Sequence, residues 1–257
     1  MKPLCVGVCA AMSLLALSPA SMAQSNPWNG SWKLDPSSLK YEGSTFSMAT
    51  DDDGFTVTRG GEAQPKVVCD GKEHKSANDI MLTCTKSADG YAISASKGGK
   101  TTRKTTISIS ADGKTRTSES EFFPPDGDPY TMKTVSERVS GGPGPAGEWK
   151  EIKFSSSQDS GVLSIAVNGD TVDFKETDNP KPITCKLDGT DTKFPGGGSM
   201  SVKLADPHTL KVTYKDEEGK VRRENTFVLS DDGTTITETD VTPAPSPSTM
   251  SVVLHKA

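Results

Sequence analysis

The chain has 257 residues, of which 25% are charged and 6% are aromatic, and its formal net charge is −5. Proteins that bind nucleic acid or an anionic membrane surface present a basic face. A mildly acidic, hydrophilic chain is therefore expected to have no nucleic-acid partner, and its charge is expected to serve solubility.

The first 23 residues have the features of a secretory signal peptide. Lys2 is the single charge, Leu4 to Leu17 is mostly apolar, and Ser21-Met22-Ala23 supplies a small-x-small cleavage site. The apolar run is too short to span a bilayer, and no later segment is long or apolar enough. We therefore expect an exported protein, periplasmic or extracellular, without membrane insertion.

The rest of the chain contains one sequence pattern that occurs twice. Gly30-Ser31-Trp32-Lys33 recurs as Gly147-Glu148-Trp149-Lys150, and the spacing between matched positions hardly changes along each half. A constant spacing over a whole half indicates duplication. The predicted organisation is a signal peptide over 1–23, a first repeat over 24–140, a Gly/Pro linker over 141–146 and a second repeat over 147–257.

Within each repeat the apolar residues alternate with polar ones. Leu163, Ile165 and Val167 show the pattern, and turn signals such as Asn168-Gly169 follow such segments. Period-two alternation predicts half-buried antiparallel strands, about eight per repeat. An open sandwich and a closed barrel both suit this pattern. Closure removes exposed sheet edges, and an immunoglobulin sandwich expects a different order of Cys and Trp. We therefore predict an all-β protein of two tandem up-and-down eight-stranded barrels.

Three cysteines follow the signal peptide. Cys69 and Cys84 lie on neighbouring predicted strands, and a disulfide between them is predicted for an exported protein, with two buried free thiols as the alternative. In the repeat alignment Cys185 matches Cys69, whereas Ser201 occupies the position of Cys84. Cys185 is thus expected to be unpaired.

The opening of each repeat resembles the lipocalin (calycin) superfamily. The resemblance rests on Gly-x-Trp in the first strand, on the segment Asn26–Pro36, and on the Asp-Gly-Lys turns at 70–72 and 112–114. Exported bacterial lipocalin-like domains share these features and are largely without an assigned function. The resemblance therefore implies a fold more than a role.

The same resemblance implies a plug at one end of each barrel. Calycins cover the tryptophan of the first strand with a cationic side chain from the last strand. Arg138 and Lys256 occupy matched positions and are expected to lie across Trp32 or Trp149, the alternative being solvated charges. Lys256 departs from the usual arginine, so the second plug is expected to be the weaker one.

The sequence offers little support for catalysis. His74, His208 and His255 have no counterparts in the other repeat, and the chain has neither a nucleophile elbow nor a phosphate-binding glycine loop. The acidic run Asp51-Asp52-Asp53 lacks the downstream ligands of a calcium loop and is better interpreted as a hairpin tip. We expect no enzyme activity, no metal site and no cofactor.

The more informative polar residues share a strand face with apolar residues and are expected to point inward. A buried arginine needs a partner, which Glu238 or Asp240 can supply to Arg223. The set either lines a barrel mouth in contact with water or forms a polar pocket, and either way it marks where a ligand would meet polar groups. The candidate ligand-binding residues are Arg103, Thr105, Arg116, Arg223, Asn225, Glu238 and Asp240.

These patterns favour a non-catalytic binding protein for a small hydrophobic or amphipathic molecule. The alternative is a structural or interaction protein whose barrels are filled by side chains. A barrel cavity larger than about 300 Å³ would favour the first hypothesis. The expected apolar wall consists of Phe46, Phe55, Ile93, Phe174, Val212 and Tyr214.

Overall fold

A computed structural model describes residues 26–257 except 126, 159–160, 177–178 and 195–196, so the predicted signal peptide lies outside the described residues. The described secondary structure consists of antiparallel strands and one 3₁₀ turn, Ala77–Asp79. The all-β prediction is confirmed. Across the same residues there is no helix with the length and apolar character to cross a membrane.

The strands form two sheets. The N-terminal sheet has eleven strands: β2 (Thr45–Thr50), β3 (Gly54–Arg59), β4 (Glu62–Ala63), β5 (Val67–Val68), β6 (Asp70–Lys75), β7 (Ile80–Ser87), β8 (Gly90–Lys97), β9 (Lys100–Ile109), β10 (Thr115–Phe122), β11 (Tyr130–Ser140) and β12 (Gly147–Ser156).

The C-terminal sheet has ten strands, of which one comes from the start of the chain. They are β1 (Gly30–Glu42), β13 (Val162–Asn168), β14 (Thr171–Glu176), β15 (Asn179–Lys186), β16 (Asp188–Lys193), β17 (Ser199–Asp206), β18 (Thr209–Lys215), β19 (Val221–Leu229), β20 (Thr235–Thr242) and β21 (Ser248–Lys256).

Alternation along the sequence decides which face of each strand is buried. On β19, Asn225, Phe227 and Leu229 are buried, whereas Glu224 and Val228 between and beside them are exposed. Successive side chains of a strand point to opposite faces, so a period of two gives each sheet one apolar face. The apolar faces of the two sheets enclose two separate cores.

The two first strands are exchanged between the sheets. β1 pairs with β13 and β21 in the C-terminal sheet, whereas β12 pairs with β11 and β2 in the N-terminal sheet. The hydrogen-bonded sheets therefore do not coincide with the predicted repeats 24–140 and 147–257. Each predicted repeat thus contributes its opening Trp strand to the sheet formed mainly by the other predicted repeat.

The C-terminal sheet curves into a nearly closed barrel. Its strand order begins with β15 and ends with β16, and only Leu187 separates these strands in the chain. Leu187 O accepts a hydrogen bond of 3.0 Å from Leu204 N of β17. The N-terminal sheet has the same arrangement, because β5 pairs with β3 and, after Cys69, the chain continues as β6 beside β7.

The strand count exceeds the predicted eight per repeat. One reason is that a single strand path is divided in each sheet, at Cys69 and at Leu187, where the chain turns from one neighbour to the next. Such a change of neighbour leaves no signature in the hydrophobic alternation, because the apolar face stays buried on both sides of the bend.

A buried tryptophan lies at one end of each sheet with a cation over its ring. Arg138 Cζ is 4.1 Å from the centroid of Trp149, and Lys256 Nζ is 5.0 Å from the centroid of Trp32. Within each pair the two residues are direct neighbours across adjacent strands. Both indoles are fully buried, and each Nε1 donates to the carbonyl four residues earlier.

The predicted linker 141–146 packs against the N-terminal sheet. Arg138 donates from Nε to Gly113 O at 2.5 Å, from Nη1 to Ala146 O at 2.8 Å, and also to Gly144 O. Lys256 makes one such contact, from Nζ to Pro27 O at 3.2 Å. The Arg138 guanidinium thus holds the linker against Trp149 through hydrogen bonds to backbone carbonyls, and Lys256 makes fewer such hydrogen bonds at Trp32.

Cys69 and Cys84 form a disulfide, and Cys185 is a buried free thiol. The alignment of Cys185 with Cys69 is wrong by two residues. Leu187 occupies the place of Cys69: Cys69 N donates to Asp53 O and Leu187 N donates to Asp170 O, each at the bend that divides a strand path. At the positions that correspond to the Cys69–Cys84 disulfide, the C-terminal sheet therefore has apolar residues, and Cys185 is not the counterpart of Cys69.

Candidate functional site

The interior of the C-terminal sheet contains a cavity of about 590 Å³. It extends from the Trp32 end of the barrel towards Arg223 and Asn225. Three residues of the predicted apolar wall, Phe174, Val212 and Tyr214, line it. Its other apolar lining residues include Leu34, Leu163, Ile183, Met200, Phe227, Met250 and Val252.

Strand register brings four of the predicted site residues together. Asn225 on β19 is directly opposite Asp240 on β20, and Glu238 is opposite Phe227 one step along the same face. Arg223 precedes Asn225 by two residues and so shares its face. Arg223, Asn225 and Glu238 line the cavity, and Asp240 lies beside Arg223.

Ion pairs and a hydrogen bond connect this cluster, which we call the polar end of the cavity. Arg223 Nε forms an ion pair with Asp240 Oδ2, and its Nη2 is 4.0 Å from Glu238 Oε1. Asn225 Nδ2 donates to Glu238 Oε1. The guanidinium also lies 5.6 Å from the centroid of Tyr214. The arginine is therefore held in place by its neighbours.

Burial affects the ionisation of a carboxylate at this end of the cavity. Asp240 is 9% exposed. Removal from water disfavours its charged form and raises the pKa of Asp240 above the ordinary value, while Arg223 acts in the opposite direction. The ion pair thus offsets only part of the cost of burying this carboxylate.

The matched positions of the N-terminal sheet hold different chemistry. Thr105 is opposite Ser120, as Asn225 is opposite Asp240 in the other sheet. The hydroxyl oxygens of Thr105 and Ser120 are 2.8 Å apart. Arg103 is exposed, with its guanidinium 6.0 Å from the ring of Phe122. Among the described residues, no carboxylate is joined to Thr105 or Arg103 in the way that Asp240 is joined to Arg223.

Arg116 lies apart from both groups, in the core of the N-terminal sheet. It is 6% exposed, its Nε has no hydrogen-bond partner, and its guanidinium is 5.1 Å from the centroid of Phe46. Burial, followed by the like charge of Arg59, lowers the pKa of Arg116 to about 10. Arg59 itself pairs with Glu151 at 2.7 Å.

The remaining polar groups considered in the sequence lie elsewhere. Asp51 and Asp53 pair with Lys66 at a hairpin tip. His74 lies 2.9 Å from Asp70, whereas His255 lies 3.9 Å from Asp35 in the other sheet. Within the described part of the chain no three His, Cys, Asp or Glu side chains are grouped as metal ligands.

Sequence reasoning missed part of the cavity wall. Met132 of β11 and Phe154 of β12 line the cavity although both strands belong to the N-terminal sheet. Their contribution depends on how the exchanged strands place the two sheets, which no local pattern encodes. Trp28 was also missed: it is buried at 2% exposure and its Nε1 donates to Pro207 O at 3.0 Å. The position of Trp28 just before the Gly-x-Trp segment was the sequence signal that could have identified it as a core residue.

Comparison with known proteins returned no match, either to a protein-family model or to a curated protein.

Proposed function

We propose that this protein is an exported, non-catalytic binding protein built from two duplicated lipocalin-like repeats. In this proposal the cavity of the C-terminal sheet encloses a small apolar or amphipathic molecule. Binding by enclosure needs an apolar wall and a few placed polar groups, without a nucleophile or a general base.

Matched details support the duplication. The turn after Ser110 and the turn after Ser230 have the same bonds: Ser110 Oγ to Asp112 at 2.6 Å, and Ser230 Oγ to Asp232 at 2.6 Å. After these turns, Lys114 O accepts a hydrogen bond of 2.9 Å from Arg138 N, and Thr234 O accepts one of 3.0 Å from Lys256 N. Together with the two plugged tryptophans, these details favour two copies of one lipocalin-like plan.

The observation that carries the binding function is the cavity itself. Its volume of about 590 Å³ falls within the range of about 300–1,000 Å³ that is typical of small-molecule sites. Apolar side chains form most of its wall, and Arg223, Asn225 and Glu238 form a polar cluster at one end. An apolar body with one polar end matches this distribution.

The interior of the N-terminal sheet supports a different role for that half. Phe46, Phe55 and Tyr91 are buried there, and the rings of Phe55 and Tyr91 are 4.6 Å apart. Large aromatic rings fill space and stabilise a core. We propose that this half is mainly structural and contributes Met132 and Phe154 to the site of the other half.

A cavity-filling substitution tests the proposal. The probe is N-phenyl-1-naphthylamine, whose fluorescence rises in an apolar site, titrated into the full chain without residues 1–23. We expect saturable binding at one site and its loss in Val212→Phe, because Val212 is buried in the cavity wall.

The matched control is Ile93→Phe, since Ile93 holds the same register position in the N-terminal sheet, opposite Thr105, that Val212 holds opposite Asn225. Circular dichroism checks that both variants fold. Absence of saturable binding, or equal loss in both folded variants, would overturn the proposal.

A further inference from the structure

The polar end of the cavity carries an excess of negative charge. Among the described residues, its charged side chains are one arginine, Arg223, and two carboxylates, Glu238 and Asp240, which together carry one net negative charge. Both carboxylate side chains are largely buried, at 16% and 12% exposure. Electrostatic interactions at such a depth are stronger than in water, so the sign of this charge matters for what can enter.

The arginine does not present a free anion site. Its Nε is engaged by Asp240, and Glu238 lies 4.0 Å from its Nη2. The Arg223 side chain is 46% exposed, but a carboxylate bound at its guanidinium would lie close to both acidic side chains, and like charges at close range disfavour the charged forms. The position of Arg223 therefore stabilises the acidic pair more than it recruits an anion.

Asn225 adds a hydrogen-bond acceptor to the same end. Its Nδ2 donates to the Glu238 carboxylate, which can only accept, so the orientation of the amide is decided. Asn225 Oδ1 is then buried, and none of the described residues hydrogen-bonds to it. An unsatisfied buried acceptor is costly and is relieved by a donor.

The barrel does not require these groups. In the N-terminal sheet the positions of Asn225 and Asp240 are taken by Thr105 and Ser120, and the register position of Glu238 is taken by Ser118. The plugged tryptophan, the turns at Ser110 and Ser230, and the register of β9 with β10 and of β19 with β20 recur in both sheets. The acidic pair and the amide are therefore specific to the sheet that holds the cavity.

We infer that the cavity takes an amphipathic amine: an apolar body that fills the cavity, with a positively charged, hydrogen-bond-donating head at Glu238 and Asn225. The inference rests on the proposed binding function and specifies its ligand class. An ammonium or amine head supplies hydrogen-bond donors and a positive charge, whereas a fatty acid supplies neither.

Three probes with the same alkyl chain test the ligand class: decylamine, decanol and decanoate, each displacing N-phenyl-1-naphthylamine at neutral pH. We expect decylamine to bind roughly ten-fold or more tightly than decanoate, with decanol between them, because a hydrogen bond to a charged group contributes more than one between neutral groups.

Two variants locate the effect. Glu238→Gln is expected to reduce the preference for decylamine over decanol by roughly ten-fold, and Ser118→Ala, at the matched position of the N-terminal sheet, is expected to leave it unchanged. Equal affinity of the three probes, or tightest binding of decanoate, would refute the amine inference while leaving the binding function intact. Failure of all three probes to displace the dye would count against the function itself. The comparison on the unmodified protein decides the ligand class even if Glu238→Gln does not fold.

Discussion

Truncation of Trp149 to alanine should destabilise the N-terminal sheet more than an ordinary core substitution does. The indole is fully buried, and its Nε1 donates to Pro145 O at 3.1 Å. Removing a buried tryptophan costs about 3–5 kcal/mol. The cation–π contact with Arg138, worth ~0.5–2 kcal/mol, is lost with it, so we expect the upper part of that range.

Equilibrium unfolding in urea, followed by circular dichroism, measures this cost. Trp149→Phe retains an aromatic ring beneath Arg138 and should lose less. Val139→Ala is the control on the adjacent strand, because Val139 is 55% exposed and its truncation should change the free energy of unfolding by less than about 0.5 kcal/mol. Trp32→Ala should cost less than Trp149→Ala, since Lys256 makes the longer contact and has fewer carbonyl partners. If Trp149→Ala were no more destabilising than Val139→Ala, the proposed anchoring role of the tryptophan would be refuted.

Two further substitutions test the electrostatics and the bends. Arg116→Met should leave the free energy of unfolding unchanged or raise it by up to ~1–4 kcal/mol, because an apolar side chain replaces a buried charge for which no described residue is a partner at Nε. Arg59→Met breaks the ion pair with Glu151 and should lower the free energy of unfolding. The opposite ranking of the two variants in urea unfolding would contradict this account. In the chain without residues 1–23, Leu187→Cys with Val202→Cys should form a disulfide, because these residues match Cys69 and Cys84 and have the same separation of 15 residues. Thiol titration and mass spectrometry that find three free thiols after oxidation would show the match to be wrong.

The strands and their buried faces could be predicted because period-two alternation is a local property. The same reasoning placed Arg223, Asn225, Glu238 and Asp240 on one inward face, and the register then brought them together. Arg116 followed the same inward pattern but lies in another core, because identical alternation in two repeats does not tell whether the surrounding space is a cavity or is filled by rings such as Phe46.

The exchange of first strands could not be predicted. Trp32 and Trp149 stand in nearly the same sequence, Gly-x-Trp-Lys, so each strand suits either sheet by propensity and by side-chain pattern. The choice depends on the geometry of the connections, where Gly43 N and Glu151 O form a hydrogen bond of 3.1 Å between the exchanged strands. The two-residue error in aligning Cys185 has a similar origin, because a shift by two positions preserves every buried face.

The exchanged strands make the two halves of the chain dependent on each other for folding. A cut within 141–146 would leave an amino-terminal piece that lacks β12 and a carboxy-terminal piece that lacks β1, so each piece holds a strand that the other needs. The nicked protein is expected to remain a tight non-covalent pair. Each piece expressed alone would have to refold its own Trp strand into its own sheet or leave two unpaired edges, which promote aggregation. The protein should accordingly unfold as one cooperative unit, and the cavity of the C-terminal sheet should lose its shape when the N-terminal sheet melts.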